Sequence, residues 1–290
     1  MKQFILPSPP SDQGPLSGGG IIRLTGKDYH YLVRVRRLAP GAVFDALLPN
    51  GSPVRVLVRS VREGCLVGEC LPVEGASPVI AVTLNAVPHS SSSLPPLILF
   101  QALPKGTKMD LIVRQATEGG IAEVVPFAAV RSVSRLGGER ESAGKLARWR
   151  RIVKEARQQS GSSIATEIRP PCSTDTLLRY WEELKTQYNR VVGLFLHPPS
   201  AAKFAESTHA SPLEQGTFHG YLDKSPEVVA IVVGPEGGFT PDEASRFMAA
   251  SFKPLFMGDT VLRTETAALY AAAAIRIILL ESASWMPKIP

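Results

Sequence analysis

Six consecutive apolar residues, Val228-Val-Ala-Ile-Val-Val233, run straight into Gly234-Pro-Glu-Gly-Gly-Phe-Thr-Pro-Asp-Glu243. A short β-branched run without alternation reads as a strand buried on both faces. The glycines let the backbone turn sharply and approach a ligand closely. Thr240 suits the N-cap of a following helix, Pro241 its first position, and Glu243 completes a capping box. Strand, glycine loop and helix in that order form the junction at which open α/β sheets bind ligands. The same residues also suit a plain tight turn. Two familiar phosphate cradles are excluded. A Walker loop ends Gly-Lys-Ser/Thr, whereas this one ends Gly-Gly-Phe-Thr, and G-x-G-x-x-G does not fit Gly234-Pro-Glu-Gly-Gly. The Glu236 carboxylate would also repel phosphate.

A second segment, Leu255-Phe-Met-Gly-Asp-Thr-Val-Leu-Arg-Thr-Glu-Thr-Ala267, reads as a short strand, a Gly-Asp turn and a new helix with Thr264 as N-cap. That helix, Thr266 to about Leu280, is Ala-rich and apolar nearly all round, the pattern of a buried helix. It is too short for a membrane span, and Arg276 interrupts it.

Upstream, strands and helices alternate, as expected for a mostly parallel sheet with helices on both faces. Leu97–Leu103, Ile121–Val125 and Val191–Leu196 read as strands. Thr107 with Asp110 suggests a capping box, and Met109, Ile112 and Ala116 share one helix face; Leu146, Trp149, Ile152, Val153 and Ala156 form the stripe of another. Residues 1–75 read as mostly β. Ala42–Leu48 and Val54–Val61 flank Asn50-Gly51, a strong hairpin signal, Cys65–Leu71 is a further strand, and Thr25-Gly-Lys-Asp28 opens a short helix. A small barrel with one helix fits them. Residues 76–96, rich in Ser and Pro, read as a linker before a second domain, 97–290.

A chain of 290 residues suits two domains. A net charge of +6 suits a polyanionic partner. Cys65, Cys70 and Cys172 form no metal signature, and Cys65 and Cys70 read as strand residues of a reduced, cytoplasmic protein. Met1–Leu6 is too short for a signal peptide, and no membrane association is expected. No Ser-His-Asp order or metal-ligand spacing is visible among the five histidines. Two basic clusters stand out: Arg23, Lys27, Arg34, Arg36 and Arg37, and a helix carrying Lys145, Arg148, Arg150, Arg151, Lys154 and Arg157. Such clusters serve equally as solvated faces or as phosphate contacts. Lys105 and Arg131 are weaker candidates at loop edges.

GPEGGFTPDE followed by MGDTVLRTETAAL resembles the signature of the SPOUT methyltransferases, and within them the ribosomal RNA small subunit methyltransferase E family, whose members methylate uracil N3. Further blocks agree: Gln101-Ala-Leu-Pro-Lys-Gly-Thr-Lys-Met-Asp110, Gln115-Ala-Thr-Glu-Gly-Gly-Ile121, Arg148-Trp149, and His30-Tyr-Leu-Val-Arg-Val-Arg-Arg-Leu-Ala-Pro-Gly41. Gly119 stands where the family usually has Leu, Ser162 where it usually has Arg, and the 76–96 link is longer than usual. The resemblance implies an α/β SPOUT domain with a mostly parallel sheet and a deep trefoil knot, preceded by a small PUA-like β-barrel that binds RNA. It implies S-adenosyl-L-methionine as cofactor and no metal. The implied partners are small-subunit ribosomal RNA within the assembled 30S particle, near the decoding centre, and a second copy of the chain, with the C-terminal helix as dimer surface.

On that reading the cofactor lies against three loops: Leu196, His197 and Pro198; Gly234, Pro235, Glu236, Gly237 and Gly238; and Met257, Gly258, Val261 and Leu262, with Thr266 and Ala267 behind. Arg263 and Glu265 are the catalytic candidates. Arg263 is cast as the residue that stabilises the uracil anion or orients the base, while Glu265 equally suits a structural place at a helix N-terminus. Arg23, Arg34, Arg36, Arg37, Lys105, Arg131, Arg148 and Arg151 are the candidate RNA contacts. Two other readings stay open: a SPOUT methyltransferase acting on a ribose 2′-hydroxyl or a transfer RNA base, and a non-catalytic RNA-binding protein.

Overall fold

The computed structural model describes residues 4–7, 20–49, 52–71, 94–134, 137–197, 218–222, 225–257 and 260–284. Two compact units emerge, one from Met1–Pro88 with Arg157–Ala165 and one from His89–Ala156 with Thr166–Pro290. The expected hairpin tip Asn50-Gly51 and most of the 76–96 linker lie outside the described residues.

The first unit is a five-stranded mixed sheet in the order β1 (Phe4–Ile5), β3 (Val43–Leu47), β4 (Pro53–Arg62), β5 (Cys65–Leu71), β2 (Ile21–Thr25). Among its described strands only β1 and β3 pair in parallel. Alternation sends Val54, Val56, Val58, Leu66 and Cys70 to one buried face. Gly68 is required there, because a Cβ would lie 2.6 Å from Val56 Cγ1. Helix α1 (Gly26–Tyr29) passes into a π-helical segment, His30–Val35, which buries Leu32. The box expected at Thr25 does not form: Thr25 makes no side-chain cap bond, and Gly26 at φ +58° gives the first turn a different geometry.

The second unit holds a seven-stranded sheet ordered β12 (Lys253–Leu255), β10 (Val191–Leu196), β11 (Val228–Val233), β6 (Leu97–Ala102), β7 (Glu123–Ala128), β8 (Glu167–Ile168), with β9 (Cys172–Ser173) also on β7. Every pairing among these strands is parallel. All six residues of β6 and of β11 are buried, as continuous apolar runs require in a sheet covered on both faces. Its described helices are α2 (Lys108–Glu118), α3 (Glu139–Ser160), α4 (Thr174–Gln187), α5 (Phe218–Leu222), α6 (Pro241–Ala249) and α7 (Thr264–Ser284). Gly193 on β10 lets Trp181 and Phe252 close over the strand; a Cβ there would meet them at 2.7 and 2.6 Å.

Several local expectations change. Strand β7 starts at Glu123 and not Ile121, because Ile121 N–H still closes the end of α2 on Ala116 O. Gly120 takes φ +71° in that turn, and Gly119 is the C-cap. Thr107 forms no side-chain cap: its backbone, at φ −96° and ψ 8°, is not extended, so its carbonyl and not its hydroxyl accepts from Asp110 N–H at 3.0 Å, while the Asp110 carboxylate pairs with Arg148 of α3. Helix α7 is not buried all round. It packs Ala268, Ala271, Ala272 and Ile275 inward, while Leu269, Tyr270, Ile277 and Leu280 are 41–59% exposed. Among the described residues no helix is long and apolar enough to cross a membrane.

Candidate active site

In a parallel sheet the C-terminal strand ends face one edge, and here three of them open onto one cavity. Leu196, Val233 and Leu255, the last residues of β10, β11 and β12, line a space of about 540 Å³. Its wall continues through Gly234–Phe239 and Thr260–Thr264. Gly238 adopts φ +66°, where an L side chain would be strained, and its N–H bonds Pro235 O at 2.9 Å to close the turn.

The glycine loop is anchored on every side. The capping box forms as read: Thr240 Oγ1 accepts from Glu243 N–H at 3.2 Å, and Thr240 N–H donates to Glu243 Oε2 at 2.9 Å. Buried Glu243 also accepts from Val130 N–H at 2.8 Å, which ties in the loop after β7. Thr264, read as an N-cap, is instead the first residue of α7. Its hydroxyl donates to Gly234 O at 2.7 Å and accepts from Nε2 of fully buried Gln101 at 3.0 Å. Arg263 takes the capping place, its carbonyl accepting from Ala267 N–H. Arg131 donates to Gly237 O at 3.0 Å and Phe239 O at 3.4 Å.

A charged cluster occupies the remaining side. Lys108 Nζ lies 2.7 Å from Glu236 Oε1 and 3.6 Å from Glu265 Oε2, and Glu236 also accepts from Lys105 N–H at 3.2 Å. The hydrogen bond with Glu236 raises the Lys108 pKa despite slight desolvation. For Glu236, partial burial works upward, but the Lys108 bond and backbone amides outweigh it and hold the carboxyl below its usual value. Burial lowers the His197 pKa, so a neutral imidazole faces the cavity.

The structure brings together Leu196, His197, Gly234, Pro235, Glu236, Gly237, Gly238, Met257, Val261, Leu262, Arg263 and Ala267 in the cavity wall. Glu265 and Thr266 stand off that wall, Glu265 half-buried beside Lys108 and Thr266 exposed. Pro198 and Gly258 lie outside the described residues. Among the described residues no carboxylate pairs with the exposed Arg263, and none form a group able to hold a metal. Gly237 is needed for a reason the sequence hides: a Cβ there would sit 3.1 Å from Arg131 Cβ, so bulk would strain the anchor.

The basic clusters are less free than their charge suggests. Arg157 is buried, donating to the carbonyls of Pro49, Ser162 and Ser163. Arg148 pairs with Asp110, Lys145 with Glu141, and Arg151 approaches Glu155 at 3.8 Å. Arg131 serves the glycine loop, and Lys105 meets it through its backbone. Arg23, Arg34 and Arg37 are exposed on the first unit, and Arg36 is half-buried.

The RNA methyltransferase domain family matches residues 91–276. The chain belongs to this family. The match takes in the whole cavity wall of this RNA methyltransferase domain. The chain is 28% identical to ribosomal RNA small subunit methyltransferase E of Bacillus subtilis over 87% of its own length and 88% of that protein's. It is 31% identical to the protein of that name from Aquifex aeolicus, over 64% of this chain and 71% of the relative. The fold is shared with a crystal structure of ribosomal RNA small subunit methyltransferase E from Neisseria gonorrhoeae bound to S-adenosyl methionine: TM-score 0.68, 23% identity, 96% of this chain and 98% of that one.

Sequence reasoning gave no role to Lys108, Gln101, Phe239 or Thr260. All four lie within the blocks that resemble the family, and only the fold shows Lys108 at the cavity and Gln101 beneath Thr264. It also missed Glu123, a buried carboxylate at the start of β7 that pairs with Arg169 and accepts from the Tyr180 hydroxyl at 2.7 Å; burial pushes its pKa up.

Proposed function

We propose that this chain methylates N3 of a uridine in small-subunit ribosomal RNA, using S-adenosyl-L-methionine. The observation that carries the reading is the cavity at the carboxyl ends of β10, β11 and β12, walled by backbone and with Arg263 at its edge. About 540 Å³ falls within the ordinary range of cofactor pockets. Its surface suits an adenosine bearing an amino-acid chain: Leu196, Val261, Leu262 and Met257 supply apolar contact for a base, and the glycine loop supplies backbone polar groups. When bound, the cofactor supplies an electrophilic methyl group.

The protein's own share is positioning and electrostatics. Uracil N3 is a poor nucleophile until it sheds its proton, after which negative charge spreads onto O2 and O4. Arg263, set by the start of α7 and unpaired with any described carboxylate, holds that charge. N3 lies on the Watson–Crick edge, so the target base is unpaired or flipped out in the reacting complex. His197, its pKa lowered by burial, faces the cavity as a neutral imidazole. Glu265 supports this wall through Lys108.

The reading extends to organisation. Residues 1–75 are proposed as a PUA-like RNA-binding barrel, gripping phosphates through Arg23, Arg34, Arg36 and Arg37, and residues 97–290 as a knotted SPOUT domain, with Arg148 and Arg151 as further contacts. The exposed apolar side of α7 supports a homodimer. The substrate is proposed to be the assembled 30S particle near its decoding centre, in the cytoplasm. Mass mapping of ribosomal RNA from a strain lacking this protein tests the proposal. Loss of one methyl from a small-subunit uridine, restored by the purified protein with S-adenosylmethionine, is expected. An unchanged small-subunit map, or a methyl lost from transfer RNA or a ribose, overturns it.

A further inference from the structure

We propose that Lys108 is a positioning residue that holds the Gly234–Phe239 loop in its ligand-ready shape by binding Glu236 and screening it from Glu265. The inference rests on the function proposed above for the use made of the loop, but not for the contact itself. A glycine-rich loop with one residue at positive φ has little stiffness of its own, so its tethers set its shape. The tether to Gly234 is a hydroxyl, and those to Gly237 and Phe239 run from Arg131 to backbone carbonyls. At Glu236 a side chain of the loop itself is held, by Lys105 N–H and by the Lys108 ammonium.

The chemistry of the three charges makes Lys108 the weight-bearing member. Two carboxylates from separate segments, the loop and the head of α7, converge on one ammonium. Glu265 Oε2 is buried and makes no hydrogen bond, and the ammonium at 3.6 Å is the cation paired with it among the described residues. Without Lys108 a half-exposed carboxylate and a more buried one would face each other with a single backbone N–H between them and solvent. Repulsion would then push the loop away from α7, opening the cavity wall at the point where Glu236 and Arg263 meet it. Lys108 opens α2, a rigid element packed against α7, so the tether fixes the loop relative to the scaffold.

The test uses the full chain and two readouts: hydrogen exchange of the 236–239 amides without ligand, and calorimetric titration of S-adenosylmethionine. K108M is expected to speed exchange in the loop and to weaken S-adenosylmethionine about tenfold, the size of a typical coupling between charged neighbours. K108R recovers most of both. Removing the carboxylate as well, in K108M/E236Q, costs clearly less than the two single losses together, because the uncompensated charge is gone. A K108M protein with wild-type exchange and affinity overturns the inference, as do strictly additive effects of K108M and E236Q. If the wild-type chain binds no S-adenosylmethionine, the proposed function falls, while the exchange experiment still decides the tether.

Discussion

Replacing Thr264 by Val removes one hydroxyl and almost no volume. Thr264 is 4% exposed, and its hydroxyl closes a relay from Gln101 Nε2 through Thr264 Oγ1 to Gly234 O. Gln101 Nε2 keeps a second acceptor, Ala102 O at 2.9 Å, so its loss is small. Gly234 O loses its side-chain donor, but it borders the cavity, where water can replace part of the bond. A net hydrogen bond is worth about 1 kcal/mol, and an unsatisfied buried group costs about 1–3 kcal/mol. With partial rehydration the sum is about 2–3 kcal/mol, a sizeable part of the roughly 5–15 kcal/mol that holds a typical protein folded. Urea denaturation of T264V and T264S would measure it. T264S keeps the relay and should lose only about 0.8 kcal/mol for its missing methyl. A T264V midpoint equal to that of T264S would refute the relay as a source of stability.

Other expectations are as direct. R263A should lower kcat about a hundredfold with little change in S-adenosylmethionine affinity by calorimetry, as for loss of one donor to a developing oxyanion. R36E/R37E should weaken binding to small-subunit particles and flatten its salt dependence in filter-binding titrations, while cofactor binding is unchanged. E243A removes the box of α6 and the bond from Val130 N–H, and should cost about 2 kcal/mol in urea unfolding. Burial lifts the Cys172 thiol from 9.0 to about 11, so its contribution to stability is full below pH 9.0 and lost as pH rises toward 11; C172A should unfold with a shallower pH slope across that window.

What was legible in the sequence was local. Val191–Leu196 and Val228–Val233 form strands with the bounds their composition gives, because a continuous apolar run needs no partner to be recognised. The box at Thr240 and Glu243 also forms as read, since donor and acceptor lie within one turn. The equivalent reading failed at Thr107, whose backbone is not extended and whose carbonyl takes the Asp110 N–H, and at Thr25, where the backbone of Gly26 decides. Thr264 was recognised as a helix start, but its hydroxyl serves a carbonyl on a distant loop. Lys108 carries no local signal at all: its place depends on three segments meeting. Composition predicted a fully buried α7, yet only one face of it packs on the sheet unit, and Leu269, Tyr270, Ile277 and Leu280 on the other are exposed, a division that apolar composition alone cannot show.

The register of the parallel sheet also constrains how the chain reaches its native state. Strand β6 lies between β7, its neighbour in sequence, and β11, which follows only after α2, α3 and α4, with Leu97 opposite Val229. A nascent chain that has emerged through α4 therefore carries β6 with one edge of backbone donors and acceptors unmet and its apolar side chains uncovered. Closing that gap brings together segments far apart along the chain, which makes the step slow and leaves the early half open to pairing with the wrong edge. Refolding should accordingly be slow and sensitive to protein concentration, and mutations that weaken β11 should reduce the yield of folded protein more than equal losses on the surface of α4.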